Sequence, residues 1–241
     1  MSESKNKKVK MKVGVIAAMS TERKQIAQLL TDKKEKAVGN FQFIEGRMGV
    51  NTVILMESGI GKVNAAIGVV EMIHAYTPDC IINTGVAGGV DASLKVMDVV
   101  VGKQVCYHDV WCGEGNEYGQ VQGFPLYYVG NDKLYALATS VKGDVSVRGG
   151  LICTGDQFIS DHDQLAVIKG NFPEALAVDM ESASMAQTCH AFGVPFLSFR
   201  ILSDTPGNDN RFDQYLNFWE TVAEKSFQVT EAFLSSLPES L

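Results

Sequence analysis

The chain has 241 residues, of which 46% are hydrophobic and 20% charged, the composition of a globular domain with a sizeable core. Its net charge of −7 argues against a nucleic-acid-binding surface. Because no apolar run approaches the roughly 20 residues that cross a bilayer, and no signal peptide follows Met1, we expect a cytoplasmic protein that does not bind membranes.

The polar, lysine-rich N-terminus predicts a flexible tail over residues 1–10, followed by one domain over residues 11–241. No Pro-, Gly- or Ser-rich linker divides the remainder. The five cysteines are odd in number and lack CxxC spacing, which favours buried free thiols.

Strands and helices alternate in the predicted order of elements. In chain order, the patterns predict strand 12–18, helix 21–30, strands 40–45 and 51–58, helix 63–76, strands 80–84 and 98–102, a loop at 106–128, helix 132–141, strand 150–154, helix 161–169, strand 175–178, helix 181–191, strand 196–203 and helix 212–234. Several strands are continuous apolar runs, which indicates a mixed or parallel sheet covered by helices on both faces. We therefore predict an α/β fold of three layers, αβα.

Acidic side chains follow the ends of the buried strands. Glu181 comes just after strand 175–178, and Asp204 directly follows strand 196–203. In open α/β sheets ligands bind at the carboxyl ends of the strands. These ends are predicted to carry Glu22, residues 85–89, Phe158, Glu181 and Asp204. Buried carboxyl groups in such a place are typical of acid–base chemistry.

Most of these residues also have an ordinary structural interpretation. Glu22 and Glu181 could each stabilise a helix N-terminus through the helix dipole, and Phe158 could be a core aromatic. The turn at residues 58–63 is not a phosphate-binding P-loop, since Met56 and Val63 stand where that motif needs glycine and a hydroxyl residue. The glycine run at 83–89 lacks the dinucleotide-binding spacing. The four histidines show no metal-ligand spacing.

Taken together, the segments resemble the nucleoside phosphorylase superfamily, and within it the 5′-methylthioadenosine/S-adenosylhomocysteine nucleosidases. The resemblance runs from residue 11 to about residue 234. It lies in the order and spacing of seven segments: 13–19 with Glu22, 58–62, 83–89, 107–109, 155–159, 178–181 and 203–204.

This resemblance implies a nucleoside phosphorylase-like fold and hydrolysis of the bond between adenine N9 and ribose C1′, without cofactor or metal. Asp204 would be the general acid at adenine N7, Glu22 would activate water, and Glu181 would hold the ribose hydroxyls. The remaining substrate-binding residues that it implies are Met19, Ile60, Val86, Ala87, Gly88, Phe158, Ile159, Asp179, Met180, Arg200, Ser203 and Phe212. The resemblance also implies a homodimer.

The chain departs from the family pattern at two of these positions. Val86 stands where a small hydroxyl residue is common, and Asp179 stands where glutamate is common. Three alternatives stay open at this point: a phosphate-dependent purine or uridine phosphorylase, an aminofutalosine hydrolase, and a nucleoside-binding sensor without turnover. A carboxylate at the position of Glu22 favours hydrolysis, because it would repel a phosphate dianion.

Overall fold

The computed structural model describes residues 10–143, 145–206, 210–221 and 223–241. All but the last residue of the predicted N-terminal tail lies outside these ranges. The strands are β1 Lys12–Ala17, β2 Thr31–Val38, β3 Phe41–Met48, β4 Asn51–Glu57, β5 Cys80–Gly89, β6 Val99–Tyr107, β7 Tyr128–Val129, β8 Val147–Thr154, β9 Ala175–Asp179 and β10 Phe196–Asp204. The helices are α1 Ser20–Leu29, α2 Lys62–Tyr76, α3 Asp132–Ser140, α4 His162–Asn171, α5 Ser182–Phe192, α6 Arg211–Thr221 and α7 Ala223–Ser235.

The described strands form one mixed sheet in the order β10-β6-β8-β9-β5-β1-β4-β3-β2, with β7 paired to β6. Strand β5 also pairs with β10, so that β5, β9, β8, β6 and β10 close into a ring. Because β1, β5 and β10 run parallel, their carboxyl ends meet at one edge of this ring. That edge holds the candidate site.

Helices cover both faces of the sheet, as the sequence predicts. On one face, Ile26 of α1, Leu134 of α3 and Phe233 of α7 share a core with the strands. On the other face, Val69 of α2 and Met185 of α5 pack into a second core. The α/β architecture with helix layers around a mixed sheet is thus confirmed, and the two cores hold the strand ends in place.

The sequence analysis missed one strand and ended another too early. Strand β2 was not predicted, because its residues are charged and mostly exposed and show no apolar alternation; such charges are typical of an edge strand. The predicted strand 80–84 ends before the glycines, but β5 continues through them as far as Gly89. Its glycines serve close packing, since a Cβ atom on Gly89 would lie 3.1 Å from the Thr205 side chain.

The structure also bears on the last predicted helix, on the cysteines and on membrane-spanning segments. The predicted helix 212–234 is described as α6 and α7, on either side of residue 222, which lies outside the described residues. Four cysteines are buried free thiols as expected, whereas Cys112 is exposed. Within the described ranges, none of the helices has the length and apolar character needed to cross a membrane.

Candidate active site

A cavity of about 160 Å³ opens at the shared edge of β1, β5 and β10. All fifteen site residues expected from the sequence lie in its wall. They are Met19, Glu22, Ile60, Val86, Ala87, Gly88, Phe158, Ile159, Asp179, Met180, Glu181, Arg200, Ser203, Asp204 and Phe212. The wall also contains four residues that the sequence reasoning did not select: Ala18, Gln157, Val178 and Tyr215.

Glu22 lies at the start of α1 with its carboxylate turned into the cavity wall. Its Oε2 accepts hydrogen bonds from the backbone N–H groups of Ala18 and Met19, at 3.0 and 3.1 Å. Its Oε1 accepts one from the N–H of Val86, at 2.9 Å. Burial raises the pKa of Glu22, while Arg200 and these amides oppose the rise. The carboxylate is therefore fixed in direction at a site from which water is largely excluded.

The backbone of Val86, rather than its side chain, takes part in this arrangement. The hydroxyl that family members often carry at this position is absent, but the N–H contact to Glu22 does not depend on the side chain. Gly85 is needed beside it, since its φ is 149° and a Cβ atom there would overlap the Glu22 carboxylate. The glycine run thus lets the strand pass close behind Glu22.

Arg200 of β10 is fully buried and joins two carboxylates. Its Nη2 lies 2.8 Å from Asp179 Oδ2 and 3.1 Å from Glu181 Oε2. Glu181 Oε1 also accepts a hydrogen bond from the N–H of Gly61, at 3.0 Å. The turn at residues 58–63 therefore directs an amide toward the site. Burial raises the pKa of Glu181 to about 7, against the opposing effect of Arg200.

Asp179 is the anchor of this cluster. Thr154 donates a hydrogen bond to its Oδ1 at 2.6 Å, and the Ser182 hydroxyl donates to its Oδ2. The N–H of Ser182 also points at the carboxylate, at 3.2 Å. Asp179 thus ties β8, β9 and the start of α5 to Arg200. The shorter acid at this position forms the ion pair with Arg200 directly.

Asp204 closes the other side of the cavity. Ser203 donates a hydrogen bond to its Oδ1 at 2.8 Å, and Arg211 donates from Nε to its Oδ2 at 2.6 Å. Burial raises the pKa of Asp204, and Arg211 opposes this rise. Sequence reasoning missed Arg211; the available signal was an arginine at the start of a helix only seven residues after a buried acid.

Aromatic side chains form the mouth of the cavity. The ring centroid of Phe158 lies 5.8 Å from that of Phe212 and 5.6 Å from that of Tyr215, in edge-on geometry. Tyr215 Oη lies 3.5 Å from Met19 Sδ. Phe158 is 41% exposed and Phe212 50% exposed, so a flat apolar ligand could cover both. Tyr215 was foreseeable, since it lies three residues after Phe212 on the same face of α6.

A family model described as the phosphorylase superfamily matches residues 12–235. A 5′-methylthioadenosine/S-adenosylhomocysteine nucleosidase of an Exiguobacterium species is 42% identical, over 95% of this chain and the whole of that relative. The chain belongs to this family of nucleosidases. Among solved structures, the S-adenosylhomocysteine nucleosidase of Streptococcus pyogenes in complex with 5-methylthiotubericidin has a TM-score of 0.88 at 37% identity, covering 95% of this chain and 98% of that one.

A more distant structural neighbour carries a different name. The native futalosine hydrolase of Helicobacter pylori has a TM-score of 0.86 at 28% identity, covering 94% of this chain and 98% of that one. Family membership alone therefore does not decide the substrate of this nucleosidase, which depends on the residues around the cavity. In the described part of the chain, no group of three or more His, Cys, Asp or Glu side chains is arranged to hold a metal ion.

Proposed function

We propose that the protein hydrolyses the N9–C1′ bond of 5′-methylthioadenosine and S-adenosylhomocysteine, releasing adenine and the thioribose product. The observation that supports this most is the convergence of Glu22, Glu181 and Asp204 on one cavity with an aromatic mouth. The three carboxyl groups come from different elements, and each is held by separate donors. With Asp179, four buried acids line one small cavity, and such a concentration of desolvated carboxyl groups is typical of a functional site.

Asp204 acts as the general acid. It passes a proton to adenine N7 while the C1′–N9 bond breaks and its electron pair moves into the base, so that adenine leaves as a neutral molecule. An aspartic acid with an ordinary pKa would not carry this proton at neutral pH. Burial raises the pKa of Asp204 and so favours the protonated form that the reaction requires.

Glu22 directs the attacking water. Its carboxylate accepts the water proton as the oxygen bonds to C1′, which completes the hydrolysis. Three backbone N–H groups favour the ionised form of Glu22, and an ionised carboxylate is the form that can act as a base. Proton release from Glu22 and uptake by Asp204 then restore both groups through solvent.

Glu181 holds the ribose hydroxyls, supported by Arg200 and Asp179 from behind. In this place it also faces the positive charge that develops at C1′, and negative charge there is more stabilising in the transition state than in the substrate. The adenine ring stacks on Phe158 between Ala87, Gly88, Ile159 and Ser203. The apolar wall for the 5′ thioether consists of Met19, Ile60, Met180 and Phe212.

The main alternative is a phosphorylase that uses phosphate instead of water. In the described residues, Arg200 is the cationic side chain of the cavity wall, and two carboxylates already neutralise it. A phosphate dianion at the position of the water would meet Glu22 without a free cation to balance it. The arrangement therefore favours water. An aminofutalosine hydrolase would share the adenine and ribose contacts and differ at the 5′ wall.

We also propose that the enzyme is a homodimer. Ile60 is exposed in the turn before α2, Val63 and Ile67 are exposed on α2, and Trp111 is exposed on the loop that follows β6. Lys62 ties that loop to α2 through Asp109, at 2.7 Å. Several large apolar side chains exposed in this region favour association. Light scattering on a size-exclusion column should give the mass of two chains. A cytoplasmic location stays a prediction, and a role in methionine salvage is proposed with the reaction.

The test is adenine release from 5′-methylthioadenosine by the purified protein in phosphate-free buffer, repeated with phosphate and followed by analysis of the sugar. Phosphate-independent formation of methylthioribose is expected. Glu22→Gln should slow it by roughly 10²–10⁴-fold, whereas Glu45→Gln, the same change at an exposed strand position, should not. Release of ribose 1-phosphate derivatives only with phosphate would make the protein a phosphorylase. Adenine binding without turnover would make it a sensor.

A further inference from the structure

The position of Arg211 is energetically unfavourable, and the helix that carries it does not compensate for this. It is the first residue of α6 and only 2% exposed. A cation at a helix N-terminus is disfavoured by the helix dipole, and burial of a guanidinium adds a desolvation penalty. Both effects must be offset by a specific partner. That partner is Asp204, the carboxyl group at the end of β10.

The contact between Arg211 and Asp204 is directed at one carboxylate oxygen. Nε of Arg211 donates to Asp204 Oδ2 at 2.6 Å, and Nη2 lies 2.5 Å from the same oxygen. Nη2 also donates to the carbonyl of Gly89 at 2.8 Å, which fixes the plane of the guanidinium. The lack of a side chain at Gly88 leaves the space, since a Cβ atom there would lie 2.5 Å from Nη2.

The other oxygen of Asp204 has a different kind of partner. Oδ1 accepts a hydrogen bond from the Ser203 hydroxyl at 2.8 Å. A serine hydroxyl can rotate and accept a hydrogen bond instead, whereas a guanidinium can only donate. A proton on Oδ2 would therefore clash with Arg211, but a proton on Oδ1 can be accommodated by Ser203. The two oxygens are not equivalent.

We propose that Arg211 is a positioning residue that blocks Oδ2 of Asp204 and confines the proton delivered to the nucleobase to Oδ1, beside Ser203. This inference rests on the proposed function, since it assigns the atom that gives its proton to adenine N7. After the transfer, Asp204 is left as a carboxylate and Arg211 neutralises it. Arg211 also sets the pH at which Asp204 takes up its next proton, because a cation in contact favours the charged form.

Other ionisable groups face the same cavity, and their titrations must be distinguished from that of Asp204. They are Glu22 of α1, Asp179 at the end of β9, Glu181 at the start of α5, Arg200 of β10 and Tyr215 of α6. Ionised Glu22 is required for the base step, so it governs the acid limb of the pH profile of kcat/KM. Protonated Asp204 is required for the acid step, so it governs the alkaline limb.

The experiment compares Arg211→Gln with Arg211→Lys, which keeps the charge, and with Asp213→Asn, which alters an exposed charge on the same helix. Arg211→Gln should move the alkaline limb to higher pH by about 1 to 3 units, the usual effect of a contacting charge, with the acid limb unchanged. In Arg211→Lys the alkaline limb should stay near its pH in the parent. Asp213→Asn should leave both limbs in place.

A second readout does not depend on turnover. Titration of the Asp204 carboxyl carbon by ¹³C NMR, assigned with Asp204→Asn, should show the same upward displacement in Arg211→Gln. If Arg211→Gln does not fold by circular dichroism, Arg211→Met, which keeps an apolar stem, takes its place. An Asp204 titration that is the same in the parent and the variant overturns the inference. Lack of adenine release by the parent overturns the proposed function instead, while the NMR result still decides the role of Arg211.

Discussion

The floor of the cavity and its rim are built in opposite ways. The floor is formed by Glu22, Glu181 and Asp204, each buried and each held by two or more donors that belong to strands or helix starts. The rim is formed by Phe158, Phe212 and Tyr215, which contact one another through their rings rather than through charged donors. A group that transfers a proton must be held in a fixed direction, whereas a flat base needs only an apolar surface on which to stack. We therefore expect changes in the floor to affect the rate and changes in the rim to affect binding.

The largest effect should come from removing the acid in the floor. Asp204→Asn keeps the volume and the ability to accept from Arg211, but it cannot deliver a proton to N7. We expect kcat to fall by about 10³-fold, within the usual range for a positioned acid. Steady-state kinetics with 5′-methylthioadenosine measure this, with Asp163→Asn at an exposed position of α4 as the control. A parent-like rate would exclude Asp204 as the acid.

A stability change with a definite sign should follow from Glu181. Its pKa rises from 4.5 to about 7 because of burial, so between these values the folded state binds a proton that the unfolded state does not. The free energy of unfolding therefore falls as the pH increases through this window, by roughly 3 kcal/mol for this group. Glu181→Gln lacks the titration and should gain stability relative to the parent as the pH increases.

Urea unfolding at pH 5 and pH 8 tests the prediction for Glu181. The free energy of unfolding of the variant minus that of the parent should increase toward pH 8. This holds even if the variant is less stable at pH 5 because it has lost the Arg200 contact. For Glu45→Gln, at an exposed position, the stability difference from the parent should be the same at pH 5 and pH 8. A difference that is constant with pH would mean that Glu181 is already ionised at pH 5.

The floor also depends on a glycine that carries no chemistry. Gly85 has φ 149°, and a Cβ atom at this position would overlap the Glu22 carboxylate and lie 3.0 Å from Arg200 Nη1. Gly85→Ala should displace Glu22 and lower kcat by about 10²-fold, since small misplacements of a catalytic group have effects of this size. Gly170→Ala in α4, where a Cβ atom meets nothing within 4 Å, is the matched control. Equal rates in both variants would show that Glu22 tolerates displacement.

The acids of the cavity floor were easier to predict from the sequence than some of the residues around them. Glu181 and Asp204 were visible because acids that end apolar strands are unusual. Arg211 and Tyr215 were not selected, because their sequence signals, an arginine at a helix start and a three-residue spacing from Phe212, gain meaning only once α6 is known to fold back over β10. Likewise, polar strand β2 gave no periodic signal, and the glycines of β5 resemble a turn until the partner strands β9 and β10 are known. Tertiary contacts decide these positions.

The smallest effect should come from the rim, and it should appear in a different kinetic constant. Phe158→Ala removes the surface on which adenine is proposed to stack but leaves the donors to all three carboxyl groups in place. Loss of one base-stacking contact corresponds to about a 10-fold increase in KM, with kcat nearly unchanged. Phe192→Ala, a similarly exposed aromatic in α5 outside the cavity wall, is the control and should leave KM as it is. If Phe158→Ala instead lowers kcat as strongly as Gly85→Ala does, the rim helps to orient the base for protonation, and the division between a catalytic floor and a binding rim does not hold.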